Sequence, residues 1–120
     1  MLNLDTHVLL FAVTGVLRPR EKRLLSAARW GISAIVLWEI ARLAELGRIA
    51  VDLQDAQVVR VLSGVHVWPI TREIAHTSTH IDVAGDPADQ LIAATSIVHA
   101  APLVTRDARL LRSRRVPFPK

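Results

Sequence analysis

The chain has 120 residues, no cysteine and a formal net charge of +4. A chain of this length buries roughly two-thirds of its unfolded surface in one core, so we expect a single domain over residues 1–120. The lack of cysteine excludes a disulfide framework and a thiolate metal site. The N-terminus has no signal-peptide pattern, and no apolar run approaches the length of a membrane span. We therefore expect a cytoplasmic protein.

Positive charge is carried mainly by arginine, which accounts for thirteen of the fifteen cationic residues. A guanidinium group binds phosphate as a bidentate fork, so this composition favours an anionic partner. A net charge of this size is also common on domains without such a partner. The cations concentrate near the C-terminal end, at Arg106, Arg109, Arg112, Arg114, Arg115 and Lys120.

Hydrophobic periodicity and turn residues predict strands that alternate with helices along the chain. Strands are predicted at 1–4, 31–33, 65–70 and 102–105, with a last, proline-limited edge strand at 116–119. Helices are predicted at 20–29, from 34 to a stop at Gly47, and at 54–62, 72–80, 87–98 and 107–112. Residues 7–13 either continue the first strand or begin a helix. This alternation predicts an α/β domain whose mainly parallel sheet has helices on both faces.

Four acidic residues fall near places where such a sheet binds ligands, outside the carboxyl ends of its strands. They are Asp5, Glu39, Asp89 and Asp107. Asp5 and Asp107 each have an alternative role as the N-cap of a following helix. Asp86, which precedes a proline, is favoured as an N-cap, with Asp89 complementing the helix dipole in the first turn.

Glu39 is harder to explain as a structural residue, because the sequence around it, "AIVLWEIARLA", is almost entirely apolar. An unpaired carboxylate in such surroundings takes up a proton or requires a partner. Arg42 is three residues further on and offers a salt bridge, and a metal ion is the other candidate.

If the acids converge, their mutual repulsion forces protonation unless a divalent cation neutralises them. Ligands that are all carboxylates suit Mg²⁺ or Mn²⁺. Such a centre activates water for attack on a phosphodiester. In that arrangement Asp86 caps the helix while Asp89 reaches into the site.

Four phrases in this order resemble the PIN-domain ribonucleases, and within them the VapC-type toxins. They are "LDTHVLLF", "SAIVLWEIA", "GDPADQLIAATSIVHAAPLVTRD" and a basic tail. The resemblance implies a three-layer α/β/α fold and an endoribonuclease dependent on Mg²⁺ or Mn²⁺, acting as the toxin of a type II toxin–antitoxin pair. It also implies a homodimer and a VapB-like antitoxin that blocks the site. Gln90 departs from the usual "DPADR" phrase, which removes a cation beside the site.

The resemblance identifies Asp5, Glu39, Asp89 and Asp107 as the catalytic acidic residues, and we assign Asp5, Asp89 and Asp107 as metal ligands. Supporting roles are expected for Thr6, Asp86 and Thr105, which are next to or near these ligands. Contacts with the RNA backbone are expected from Arg106, Arg109 and Arg112.

Two other interpretations remain open at this point. One is a housekeeping PIN nuclease in RNA processing or decay, and the other is a non-catalytic nucleic-acid-binding domain whose acids are only caps and salt bridges. His76 and His80 have the i, i+4 spacing of zinc ligands, but without a third ligand an exposed helix face is favoured.

Overall fold

A four-stranded parallel sheet forms the centre of the computed structural model, which covers residues 1–120. Its strands are β1 (Leu2–Leu4), β2 (Trp30–Ser33), β3 (His66–Trp68) and β4 (Leu103–Val104). Their order across the sheet is β3-β2-β1-β4, so the first strand lies at the centre. The predicted mainly parallel sheet is confirmed.

Six α-helices and one 3₁₀ turn surround the sheet. They are α1 (Thr6–Thr14), α2 (Pro19–Ser26), α3 (Ala34–Glu45), α4 (Ala56–Ser63), α5 (Arg72–Ser78), α6 (Pro87–His99) and the 3₁₀ turn Leu110–Arg112. None of these helices combines the length and the apolarity that crossing a membrane requires.

The strand order determines which face of the sheet each helix covers. The connections from β1 to β2 and from β2 to β3 step in one direction, whereas the connection from β3 to β4 returns past β1. Because crossovers between parallel strands are right-handed, this order predicts α1 to α4 on one face and α5 and α6 on the other. Helix α1 contacts α3 and α4, α5 packs against α6, and α3 also contacts α6. The three-layer α/β/α fold is confirmed.

Short polar side chains set the starts of the helices that follow the strands. Residues 7–13, for which the sequence left two possibilities, are helical because Asp5 caps α1 and accepts a hydrogen bond from the backbone N–H of Thr6 (2.8 Å). Ser33 caps α3 in the same way, and Asp86 caps α6 with Pro87 in its first turn. Glycine 15 ends α1 with a φ of 77°, a conformation that favours glycine.

Apolar residues of β1, β2, α1, α3 and α6 share one hydrophobic core. Leu4, Ile32, Ile40 and Ile92 are fully buried there, which is a major source of the stability of the domain. Asn3, in the middle of β1, is also fully buried, and its side-chain amide donates to the carbonyl of Ile92 (3.1 Å) and to Ser96 Oγ (2.9 Å). These two bonds hold α6 against the central strand.

The predicted edge strand at 116–119 is wrong. The segment adds one backbone hydrogen bond, from the N–H of Leu103 to the carbonyl of Pro117 (2.8 Å), and forms no ladder. Pro117 and Pro119 have no N–H to donate, so pairing cannot continue. The predicted helix at 107–112 is likewise reduced to the 3₁₀ turn Leu110–Arg112.

Gly31 lies against the ring of Trp68 on the neighbouring strand, and this contact generates a prediction. A Cβ at position 31 would come within 2.5 Å of Trp68 Cη2 and Cζ3, and Trp68 is itself 7% exposed and stacked on His99. We expect Gly31→Ala to lower the free energy of unfolding by about 1–3 kcal/mol in urea denaturation. Gly64→Ala is the control, because its Cβ would have 3.8 Å to the nearest atom. Equal stability of the two variants would contradict the argument.

Candidate active site

A pocket of about 400 Å³ opens beyond the carboxyl ends of β1 and β4. Asp5 follows β1, Asp107 follows β4, and α3 and α6 bring Glu39 and Asp89 to the same place. In open parallel sheets this crevice forms where successive connections leave in opposite directions, as they do on either side of β1. The full lining is Asp5, His7, Phe11, Glu39, Asp86, Asp89, Arg106, Asp107 and Arg109. The four acids that the sequence singled out therefore share one pocket.

Asp5 is both a helix cap and a wall of the pocket. Its Oδ1 accepts from the backbone N–H of Thr6 (2.8 Å), and its Oδ2 accepts from Thr105 Oγ1 (2.7 Å). The side chain is nearly buried, at 5% exposed. Burial raises its pKa above the usual value, and the hydrogen bonds from Thr105 and Thr6 offset part of that rise.

Glu39 lies on the second turn of α3, partly buried, with its carboxylate in the pocket. Thr6 Oγ1 donates to Glu39 Oε1 (2.5 Å), which links α1 to α3 at the site. The alternative of a salt bridge to Arg42 is wrong, because Arg42 pairs with Glu45. Burial raises the pKa of Glu39, the hydrogen bond from Thr6 lowers it, and the charges of Asp86 and Asp5 raise it further.

Asp86 caps α6 and Asp89 lines the pocket, as the sequence suggested. Asp86 Oδ1 accepts from the backbone N–H of Asp89 (2.9 Å), and the Asp86 side chain also lines the pocket. The pKa of Asp89 is raised to about 7, mainly by burial and further by the negative charges around it, which are those of Asp86, Asp5, Glu39 and Asp107. Asp89 thus experiences the combined negative charge of the pocket.

Asp107 is held by the short segment that leaves β4. Its backbone N–H donates to Thr105 Oγ1 (3.0 Å), the same hydroxyl that donates to Asp5. Its Oδ1 accepts from the backbone N–H of Arg109 (2.8 Å), so the carboxylate also closes a turn. Thr105 therefore joins two of the acids across the crevice.

The three arginines expected to bind RNA lie in different surroundings. Arg106 Nε and Nη2 donate to the two carboxylate oxygens of Glu21 (2.8 and 2.7 Å). Arg109 lines the acidic pocket, with its Nε 3.8 Å from Asp107 Oδ1. Arg112 lies outside this pocket, in a neighbouring hollow that Arg109 also lines.

Glu21 was not among the residues that the sequence singled out. It is the third residue of α2 and accepts from the backbone N–H of Arg18 (2.7 Å), a capping-box contact that the "RPRE" spacing could have indicated. Its partner Arg106 is 85 positions away along the chain. Local spacing carries no signal for such a pair.

The candidate zinc pair, His76 and His80, lies apart from this pocket. The rings stack with 4.4 Å between their centroids, and both residues are exposed. No third acidic, histidine or cysteine side chain joins them. Both residues are exposed as expected, but His80 lies beyond the end of α5 at Ser78.

Carboxylate oxygens are the ligands that Mg²⁺ and Mn²⁺ prefer, and the raised pKa of Asp89 records negative charge that a divalent cation would relieve. In donor chemistry and in charge the pocket therefore fits a divalent cation. In the arrangement seen here, no three of its acidic side chains are close enough together to hold one ion.

An apolar groove of about 660 Å³ adjoins the acidic pocket, and His7 and Phe11 line both. The rest of its lining comes from α1, the turn after it, the segment before α4 and the first turn of α4: Leu10, Val13, Thr14, Val16, Ile49, Ala50, Val51, Asp55, Gln57 and Val58. Apolar and acidic surfaces are thus continuous at this side of the molecule.

Comparison with known proteins shows the family to which this chain belongs. The model of the PIN domain matches residues 3–116. The chain is 41% identical over 91 residues to Ribonuclease VapC22 of Mycobacterium tuberculosis, covering 73% of this chain and 69% of that protein. The chain therefore belongs to the PIN-domain family, and within it to the VapC type that the sequence resemblance indicated.

Solved structures share the fold at low sequence identity. VapBC2 from Rickettsia felis, bound to a DNA fragment from its promoter, matches with a TM-score of 0.74 and 20% identity over 99% of this chain and 98% of that chain. A toxin–antitoxin complex from Klebsiella pneumoniae matches with a TM-score of 0.72 and 21% identity over 93% and 91% of the two chains.

The crowding of acids around Asp89 generates a prediction on pH. The pKa of Asp89 is about 7 in the folded protein against an ordinary value of 3.8, so between these values the folded state holds a proton that the unfolded state has released. We expect the metal-free protein to lose stability as the pH rises from about 4 to about 7. Asp89→Asn should flatten that decline in thermal melts at each pH. Asp52→Asn, outside the pocket, should leave the slope unchanged, and parallel profiles for Asp89→Asn and wild type would contradict the argument.

Proposed function

We propose that this protein is a divalent-metal-dependent endoribonuclease that acts as the toxin of a type II toxin–antitoxin pair. The observation that carries the proposal is the convergence of Asp5, Glu39, Asp89 and Asp107 in one pocket. Membership of the VapC type supports it, since the relative with 41% identity is named a ribonuclease. A non-catalytic domain has no need to bury and crowd acids until one of them has a pKa of about 7.

The proposed metal is Mg²⁺ or Mn²⁺, held by Asp5, Asp89 and Asp107. When bound, such an ion lowers the pKa of a coordinated water and stabilises charge on a phosphodiester. Thr105 orients Asp5 through its hydroxyl, and the same hydroxyl accepts from the backbone of Asp107. These hydrogen bonds fix the positions of Asp5 and Asp107, two of the proposed ligands, relative to each other.

Glu39 is proposed to receive the proton of the attacking water. Its raised pKa makes it a better proton acceptor than an ordinary exposed carboxylate, and Thr6 fixes one of its oxygens. Asp86 supports the site by holding the first turn of α6, from which Asp89 projects.

RNA is the proposed substrate, and arginines near the pocket are proposed to bind its backbone. Arg109 is exposed and borders the acids, and Arg112 extends the same basic edge into the adjoining hollow. Guanidinium groups in this position can pair with phosphates on either side of the cleaved bond. Arg106 is the exception among the three, because its Nε and Nη2 already donate to Glu21.

A VapB-like antitoxin is the proposed protein partner. The support is the groove that adjoins the acidic pocket, since an apolar segment lying there would reach the site through the shared wall of His7 and Phe11. The structural neighbours include several toxin–antitoxin complexes. A homodimer in the cytoplasm completes the proposal, and large apolar side chains such as Trp38 (57% exposed) are available for subunit contact.

The proposed chemistry predicts complete dependence on the acids and on the cation. Asp5→Asn and Asp89→Asn should each reduce cleavage of RNA in Mn²⁺ to below about 1% of wild type, since even changes behind a metal ligand cost about 10–100-fold. Both variants should keep the fold, because removing charge from a repulsive cluster does not lower stability. Gel assays of RNA with Mg²⁺, Mn²⁺ or EDTA provide the measurement.

Asp52→Asn serves as the control for these assays and should cut at the wild-type rate. A Mn²⁺ titration by thermal shift accompanies them, because an ion that binds only the folded state raises its melting temperature. Full activity of Asp5→Asn, or cleavage that persists in EDTA, would refute the assignment.

The proposed partner site predicts a separation of binding from catalysis. Val16→Asp places a charge in the groove at a residue already 56% exposed, so the fold should not suffer. We expect antitoxin affinity to fall by about 30-fold or more, as for loss of an interface hot spot, while RNA cleavage is retained. Binding is measured with the proposed VapB-like antitoxin. Val59→Asp, 52% exposed and outside the groove, should bind normally, and equal binding by both variants would place the antitoxin elsewhere.

A further inference from the structure

The ion pair between Glu21 and Arg106 joins α2 to the segment that carries the proposed metal ligand Asp107. Both carboxylate oxygens of Glu21 are engaged, at 2.8 and 2.7 Å from Arg106 Nε and Nη2. The Glu21 residue is 7% exposed and the Arg106 side chain 24% exposed. A bidentate ion pair that is this little exposed holds both side chains in one geometry, unlike a pair of mobile charges on the surface.

Other contacts restrict the guanidinium further. Arg106 Cζ lies 3.9 Å from the centroid of the Phe11 ring, and its Nη2 also reaches the carbonyl of Val16 (3.4 Å). Glu21 is in turn held by the backbone N–H of Arg18 (2.7 Å), at the start of α2. Arg106 is therefore fixed from α1, from α2 and from the turn between them.

Side chains of three consecutive residues leave the backbone toward different partners at this point. Thr105 Oγ1 bonds to Asp5, Arg106 bonds to Glu21, and Asp107 faces the acidic pocket. The pairing of β4 with β1 covers only Leu103 and Val104, so it ends before these three residues. A lateral anchor at position 106 restrains both of its neighbours.

We propose that Glu21 is a positioning residue of the active site: by holding Arg106, it sets the backbone from which Thr105 and Asp107 project. This inference rests on the proposed function, since it concerns the same acidic site. It assigns Arg106 to the architecture of the pocket, in place of the RNA contact expected from the sequence.

A direct role of Arg106 in phosphate binding makes the opposite prediction for one variant. Glu21→Gln would then free the guanidinium for RNA and lower or leave unchanged the KM. With Glu21 as a positioning residue, the same change weakens the site. The glutamine oxygen can still accept from the N–H of Arg18, so the start of α2 is preserved.

The experiment compares Glu21→Gln, Arg106→Lys and the control Glu45→Gln. Lysine keeps the charge of Arg106, but it cannot form a bidentate ion pair with Glu21 or stack a planar group on the ring of Phe11. Glu45 also pairs with an arginine, Arg42, but on an exposed part of α3 outside the pocket. Each variant is measured for Mn²⁺ affinity by calorimetry without RNA, for kcat and KM on RNA, and for melting temperature.

We expect Glu21→Gln and Arg106→Lys to bind Mn²⁺ at least about tenfold more weakly and to lose kcat by a similar factor, as changes behind metal ligands do. KM should stay within about twofold of wild type, and Glu45→Gln should match wild type in every measurement. Arg106→Lys decides the question if Glu21→Gln fails to fold.

Wild-type Mn²⁺ affinity and kcat in Glu21→Gln would overturn the inference, as would a change confined to KM. In both cases the wild-type enzyme still binds Mn²⁺ and cuts RNA, so the proposed function stands. A wild-type protein that neither binds Mn²⁺ nor cuts RNA overturns the proposed function together with the inference.

Discussion

The electrostatic cost of collecting acids in a half-covered crevice is the constraint on which the rest of this structure depends. Asp89 lies among four other carboxylates, and burial together with their charges brings its pKa to about 7. The chain stays folded only if burial of apolar side chains in the core contributes more free energy than this repulsion costs. The fully buried apolar side chains of the core provide this stabilisation. The hydrogen bonds from Asn3 hold α6 in the position that keeps Asp89 close to the other acids.

Structural and chemical roles coincide at this site. Asp5 caps α1 with one oxygen and accepts from Thr105 with the other, while Asp86 caps α6 and still lines the pocket. A carboxylate has two oxygens with several lone pairs, so a local backbone contact leaves it able to act toward a ligand. Helix starts at the carboxyl edge of a parallel sheet thus provide acids that are both rigid and available.

Positive charge around the pocket is divided between two functions. Arg106 is committed to Glu21 and Phe11 and forms part of the wall, whereas Arg109 borders the acids with an exposed side chain. The same wall separates the acidic pocket from the apolar groove, with His7 and Phe11 facing both. The proposed RNA substrate and the proposed antitoxin would therefore meet the molecule at adjoining surfaces.

The sequence by itself determined the alternation of strands and helices, the helix caps and the identity of the acids, because each depends on periodicity or on neighbours within a few residues. It also placed Asp86 at a helix start, where the structure has it. The edge strand at 116–119 failed because an alternation of apolar residues and prolines satisfies the strand pattern without the donors that a ladder needs.

Only the tertiary structure decided what each acid contacts. Thr105 reaches Asp5 across 100 positions, Thr6 reaches Glu39 across 33, and Arg106 reaches Glu21 across 85. Strand order brings these residues together, and strand order follows from packing of the whole core, which no local window of sequence contains. Arg42 is three residues from both Glu39 and Glu45, so spacing alone did not choose between these partners, and in the structure Arg42 pairs with Glu45 while Thr6 donates to Glu39.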